Sequence, residues 1–290
     1  MIVHLIKRLR LTTLLLCLSS WTLHAEPQRL VSIDWSHTET LLGLGVTPVG
    51  ATQKTAYNAW VKEPSIPNES VDIGLRTQPN LERLAELKPD HIFVSPAYQY
   101  HQARLEKIAP VTAISIYADG KANWQALQDF TNTMASAIGK EDAAQQLITR
   151  SENTLQQLKA SLPAKPQADL LIIQFMDARH VRVFGQNSMF QIALNQLGIK
   201  NAWPGDTNAW GFALVGIDSL LEIKGQFVVV DPLPAGAKEH LEKDQLWQYL
   251  IKQSGHPVLR IEPVWSFGAI PSTVRFATLI TQAMTEQEAN

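Results

Sequence analysis

The sequence has a single cysteine, Cys17, and it falls in the leading segment MIVHLIKRLRLTTLLLCLSSWTLHA. An intrachain disulfide is therefore excluded, and stability must rest on the apolar core. No G-x-S-x-G, phosphate loop, G-x-G-x-x-G, H-E-x-x-H or C-x-x-C pattern occurs, so the common signatures of hydrolases, nucleotide binders and zinc proteases are missing. Gly43-Leu44-Gly45 resembles the start of a dinucleotide loop, but it stands at a helix end and reads as a cap. Beyond the leader, His37, His91, His101, His180, His240 and His256 are scattered singly, which argues against a histidine cluster capturing metal.

A long apolar run is also missing outside the leading segment. That segment has a basic start (Lys7, Arg8, Arg10), an apolar stretch from Leu11 to about Leu23 and Ala25 at a cleavage position. It reads as a secretory signal over 1–25 and is short for a membrane span. Leu16 stands where a lipidation signal wants a small residue, and Lys7-Arg8 leaves the export route open. Formal charge is −2. Removing the leader's three bases and no acid takes it from −2 to −5. Such a chain is a poor nucleic-acid binder. The expectation is a soluble exported protein.

What remains has ordinary globular composition, 45% hydrophobic and 18% charged, enough for two lobes. Two echoes organise it. LERLAELKPDHIFV (81–94) matches IDSLLEIKGQFVVV (217–230) in its apolar positions, its acids at the second and sixth places, and Lys88 with Lys224. Each copy reads as a short helix, a Pro or Gly break and an apolar strand. Leu30-Val31-Ser32-Ile33 with a helix ending Leu44-Gly45-Val46 is echoed by His180-Val181-Arg182-Val183 with one ending Leu197-Gly198-Ile199. Gly in each follows the last helical residue, where a left-handed cap is wanted.

Between the copies, Lys140 to Ala160 contains no Gly or Pro and begins with acids, the composition of one long helix. About 20 residues at ~1.5 Å each span ~30 Å, a stiff strut between two similar halves. The expected architecture is α/β: signal peptide 1–25, an N-terminal Rossmann-like lobe 26–138, a bridging helix 139–162 and a C-terminal Rossmann-like lobe 163–290. The ligand site is expected in the shallow cleft between lobes.

Trp60, Trp203, Trp210 and Trp265 all lie in turn-rich segments contributed by both halves, and together they suit the walls of a shared small-molecule pocket. Arg76 follows the apolar run Val71, Ile73, Leu75 and precedes a helix signal, which places it at a strand-to-helix corner. Tyr98 lies just past another strand. In an open α/β sheet, ligands lie outside the carboxyl ends of strands. A guanidinium and a phenol at two such ends suit an oxygen-rich ligand of partial negative charge. The competing reading pairs Arg76 with Asp72 and leaves Tyr98 on the rim.

The stretches VDIGLRTQPNLE, RHVRVFGQNSMFQ, NAWPGDTNAWG and PVWSFGA give the chain a family resemblance over nearly its whole length after the leader. It resembles the FhuD-type periplasmic ferric-hydroxamate siderophore-binding proteins, the helical-backbone class serving ABC importers. That resemblance implies a non-enzymatic, monomeric periplasmic receptor, without a cofactor, for ferrichrome-like ligands whose iron is held by the siderophore. It implies that Arg76 and Tyr98 hydrogen-bond hydroxamate oxygens, that Trp210 and Trp265 form apolar walls with Trp60 nearby, and that Asn208 belongs to the ligand-binding set. It also implies transporter docking through one carboxylate per lobe, here Glu82 and Asp218; the plainer reading makes both simple helix-start acids. Cobalamin, haem or a catecholate complex on the same fold is the alternative. A catecholate would want a basic cluster, and Arg76 alone is placed at the pocket by the residues. An exported hydrolase would require a nucleophile–base pair that the sequence does not display.

Overall fold

The computed structural model describes residues 28–117, 122–163 and 168–289; the expected signal segment 1–25 and its cleavage position lie outside the described residues. The first half opens with β1 (Leu30–Ser32), buried at all three positions, as the central strand of a parallel sheet must be. Asp34 then caps α1 (Trp35–Gly43) by accepting from the Ser36 amide, and Gly45 beyond its end is left-handed at φ 75°. The chain continues through β2 (Gly50–Ala51), α2 (Lys54–Trp60) and β3 (Val71–Asp72). A miniature hairpin follows, β4 (Gly74–Leu75) paired with β5 (Gln78–Pro79), then α3 (Leu81–Glu86) capped by Asn80. Next come β6 (His91–Val94), a 3-10 turn Pro96–His101, α4 (Gln102–Leu105) and β7 (Val111–Ala113). The sheet order is β3-β2-β1-β6-β7, parallel throughout.

Two helices lead out of this half, α5 (Trp124–Ser136) and α6 (Glu141–Ser161). Ala144, Leu147, Ile148, Ser151 and Leu155 form the buried stripe of α6, at the spacing of one helical face. Ala144, Leu147 and Ile148 join the core of the first half with Leu30 and Phe93, whereas Leu155 joins the core of the second with Leu170 and Ile172.

The second half contains β8 (Leu170–Phe175), β9 (His180–Phe184), α7 (Met189–Leu197), β10 (Phe212–Gly216) and a 3-10 turn Ile217–Leu220. It ends with β11 (Gln226–Val230), α8 (Ala237–Leu241), α9 (Gln245–Ser254), β12 (Leu259–Ile261) and α10 (Ile270–Ala289). Its sheet order is β10-β9-β8-β11-β12. The two-lobed α/β fold is as expected, with one difference: β9 and β10 are antiparallel, so the second sheet is mixed.

That difference sorts the two echoes. The first is spatial, since β6 lies parallel beside the central β1 and β11 lies parallel beside the central β8. The second is only local, because β1 is central while β9 is one strand from the edge and runs the other way. Both glycines nevertheless serve the helix ends as read, with Gly198 also at φ 75°.

The halves are closed onto each other by the C-terminal segment. Helix α10 packs on α6 and α7, and also on α1 and α5 of the first half. Ala269 and Ile270 belong to the first half's core. Buried Glu39 of α1 accepts hydrogen bonds from the Ala269 amide and the Ser272 hydroxyl.

Candidate functional site

A cavity of about 520 Å³ lies between the lobes, within the range that holds small ligands. The first lobe lines it with residues just past the carboxyl ends of β1, β2, β6 and β7: Asp34 to His37, Gln53, Ser95 with Tyr98, and Ile114 to Tyr117. The second lobe contributes Met176, Arg182, Trp210, Phe212, Trp265 and Phe267.

Arg76 reaches this cavity from the tip of the β4–β5 hairpin, not from a strand-to-helix corner. Two-residue strands cannot be rigid alone, and the tip is held from outside. The Gln53 amide donates to the Gly74 carbonyl at 2.9 Å. The Tyr100 hydroxyl donates to the Thr77 carbonyl at 2.9 Å, and His101 Nε2 meets the same oxygen at 2.9 Å. Arg76 Nε donates to Gln53 Oε1 at 2.9 Å, and its guanidinium carbon sits 4.0 Å from the Trp35 ring centroid and 5.3 Å from that of Trp265. A pairing with Asp72 does not occur: that carboxylate accepts from the Lys54 and Gly74 amides, each at 2.9 Å. Among the described residues the terminal nitrogens of Arg76 make no hydrogen bond or ion pair, and Nε alone is engaged.

Tyr98, in the 3-10 turn after β6, is half-buried at the same cavity. Burial and the charge of Asp34 raise its pKa against the opposing effect of Arg76, so the phenol keeps its proton and can act as a donor. Asp34 is ionised. Burial works against its charge, but His37, the Ser36 hydroxyl and the Ser36 amide outweigh burial and hold it at about 2. The Ser36 hydroxyl donates to Asp34 Oδ1 at 2.6 Å, and His37 Nδ1 is 3.9 Å from it, an electrostatic contact too long for a hydrogen bond.

Aromatic rings form a continuous wall across the lobe boundary. Trp35 meets Trp265 with centroids 4.6 Å apart, Trp265 meets Phe267 at 5.3 Å, and Phe267 meets Trp210 at 5.8 Å. Tyr117 lies 5.8 Å from Trp210 and donates its hydroxyl to the Gly268 carbonyl at 3.0 Å. Trp60, at the end of α2, also lines the cavity.

The structure thus brings Arg76, Tyr98, Trp60, Trp210 and Trp265 together and leaves others out. Trp203 packs against the core of the second sheet and covers Gly185 instead of facing the cavity. Asn208 is exposed and off the cavity wall; its side-chain oxygen accepts from the Trp210 amide at 2.9 Å and the Phe212 amide at 3.3 Å. It shapes the loop that presents Trp210. Gly211 completes that loop at φ 79°, where a side chain would collide with the backbone of Asn187 and Ser188. Glu82 and Asp218 are both exposed, in the first turn of α3 and of the 3-10 turn before β11.

Sequence reasoning missed Trp35, Asp34 and Arg182. Arg182 stands between the buried Val181 and Val183 on β9, an alternation that sends its side chain to the opposite face. Its guanidinium carbon lies 4.9 Å from the Phe212 centroid and 5.6 Å from that of Phe267. The cavity therefore holds two arginines, one per lobe, where the sequence placed one.

Among the described residues no group of three or more His, Cys, Asp or Glu could hold a metal ion, and no helix is long and apolar enough to cross a membrane.

Comparison with known proteins accords with this geometry. Residues 30–250 match the family model described as "Periplasmic binding protein". The chain is 34% identical to the Escherichia coli iron(3+)-hydroxamate-binding protein FhuD over 267 residues, 91% of this chain and 90% of that protein. The crystal structure of Vibrio cholerae FhuD bound to Fe3+–Desferal superposes with a TM-score of 0.83 at 32% identity, covering 89% of this chain and 98% of that one. Bacillus subtilis FeuA, solved with ferri-bacillibactin, shares the fold at 19% identity and a TM-score of 0.71, over 91% of this chain and 94% of that one. From its fold, its interlobe cavity and these matches, the chain belongs to the periplasmic binding protein family.

Proposed function

We propose that this chain is a non-catalytic periplasmic receptor that binds ferric hydroxamate siderophores between its lobes and delivers them to an inner-membrane ABC importer. The observation that carries this reading is the pairing of Arg76, fixed by Gln53 and Trp35 with its terminal nitrogens unpaired among the described residues, and a protonated Tyr98 in one aromatic-walled cavity. Ferric iron arrives fully wrapped in hydroxamate oxygens, so the receptor supplies hydrogen-bond donors and no metal ligand. Those oxygens keep partial negative charge, which Arg76 meets with charge-assisted hydrogen bonds and Tyr98 with a neutral one. The variable organic backbone rests on aromatic surface. The named relatives in Escherichia coli and Vibrio cholerae support the same ligand class.

Side-chain geometry favours a receptor over a hydrolase. Ser36, His37 and Asp34 share the cavity, but the Ser36 hydroxyl is bonded to Asp34, and both His37 ring nitrogens are buried without a hydrogen-bond partner. That is not a nucleophile–base pair. A catecholate complex, multiply anionic, would want more positive charge than Arg76 and Arg182 set against Asp34.

Intrinsic tryptophan fluorescence tests the proposal, because Trp35, Trp60, Trp210 and Trp265 surround the cavity. Saturable quenching by ferrichrome or ferrioxamine, and not by their iron-free forms, is expected. Binding of cobalamin or haem without any ferric hydroxamate would overturn it.

A further inference from the structure

The Arg182 guanidinium is half-buried in the cavity and, among the described residues, makes no hydrogen bond or ion pair; its only partners are the rings of Phe212 and Phe267. Burial lowers its pKa from the ordinary arginine value, the mark of a charge that lacks a compensating anion. Arginines held out of water are ordinarily paired, and one left unpaired in a ligand cavity points to an anion that arrives with the ligand. Among the described residues Asp34 is the one acid on the cavity wall, and the Ser36 hydroxyl and amide already engage it.

Charge counting narrows the ligand. Three hydroxamate anions neutralise ferric iron, so the iron core of such a complex needs only donors to partially charged oxygens. Arg76 and Tyr98 on the first lobe already provide these. A second guanidinium, on the second lobe and flanked by two phenyl rings, adds a full positive charge that a neutral complex does not balance.

We propose that Arg182 is a specificity-determining residue that receives a carboxylate, so that this receptor prefers ferric hydroxamate complexes bearing a free carboxylate over neutral or cationic ones. This rests on the ferric-hydroxamate reading above and deepens it. Arginine suits the task because its planar fork meets both carboxylate oxygens at once. Phe212 and Phe267 lie against the guanidinium and limit its movement.

A ligand series with one iron core tests the assignment: ferrioxamine B with its terminal ammonium, the same complex N-acetylated to neutrality, and the same complex N-succinylated to carry a carboxylate. Fluorescence titration of the wild-type protein is expected to show the succinylated complex binding roughly tenfold or more tightly than the acetylated one, with the ammonium form weakest. In Arg182→Leu the ratio of the two affinities should fall to near one, while Arg182→Lys should retain part of it. Because the readout is a ratio, a reduced fraction of folded variant does not alter it. Equal affinities in the wild type, or a ratio that survives in Arg182→Leu, would overturn the assignment while leaving the receptor reading intact. Failure of all three complexes to bind the wild type would overturn this assignment, and failure of ferrichrome as well would overturn the receptor reading itself.

Discussion

The Arg76 guanidinium lies over the Trp35 indole at 4.0 Å from its ring centroid, although Trp35 opens α1 and Arg76 stands at the tip of the β4–β5 hairpin. Trp35 is itself 3% exposed and donates its indole N–H to the Thr52 carbonyl at 3.2 Å, so the platform is fixed before a ligand arrives. A desolvated cation–π contact is worth about 1–2 kcal/mol. Trp35→Leu should therefore weaken ferric hydroxamate binding by roughly 5–30-fold, and Trp35→Phe by less, as read by calorimetric titration. Equal losses in the two variants would argue that Trp35 acts through volume alone.

Tyr98 has no hydrogen-bond partner for its hydroxyl among the described residues, and its pKa is raised by burial and by Asp34. Tyr98→Phe should cost about 0.5–1.5 kcal/mol of binding without lowering the melting temperature. Because the proton is held beyond the ordinary value of 10.0, its contribution should be flat with pH from neutrality up to that value. A loss of the Tyr98 contribution on going from neutral to mildly alkaline solution would contradict this.

Glu39 gives folding stability a pH dependence. Burial pushes its carboxyl up to about 8 against the pull of the Ser272 hydroxyl and the Ala269 and Ser272 amides, with Asp34 adding to the rise. Unfolded, it titrates near 4.5. The folded state therefore holds the proton more tightly: nothing is lost below the unfolded value, and stability falls as pH climbs from there through about 8. Urea unfolding of wild type and Glu39→Gln should show the difference, wild type minus variant, declining by a few kcal/mol between about pH 5 and about pH 8.5. Parallel profiles would contradict it.

Much of the fold is legible in the sequence because it is local. The continuous apolar runs that mark β6 and β11 and the glycine caps at the ends of α1 and α7 need no distant partner. The direction of β9 is different: His180–Phe184 reads the same whether its neighbour runs up or down. Arg76 is legible as a cavity residue but not as a hairpin tip, since β4 and β5 are held by Gln53, Tyr100 and His101 from elsewhere. Arg182 escaped notice because alternation says which face a residue takes, not that this face meets the first lobe. Trp203 was misplaced for the converse reason; a turn-rich neighbourhood does not reveal that the ring folds back over Gly185.

Glu82 and Asp218 are exposed and away from the cavity. If each lobe docks on an importer through its carboxylate, Glu82→Lys and Asp218→Lys should leave siderophore affinity unchanged and reduce ligand-stimulated ATP hydrolysis by the cognate permease in proteoliposomes. Undiminished stimulation in the double variant would leave them as helix-start acids that complement the backbone dipole.

The central claim is that Arg76 meets the hydroxamate oxygens around iron. Isothermal titration calorimetry of the processed chain with ferrichrome, for wild type and Arg76→Ala, tests it most directly. Loss of a charge-assisted hydrogen bond of about 1.5–3 kcal/mol predicts roughly 10–150-fold weaker binding in the variant. Unchanged affinity in Arg76→Ala would contradict the account.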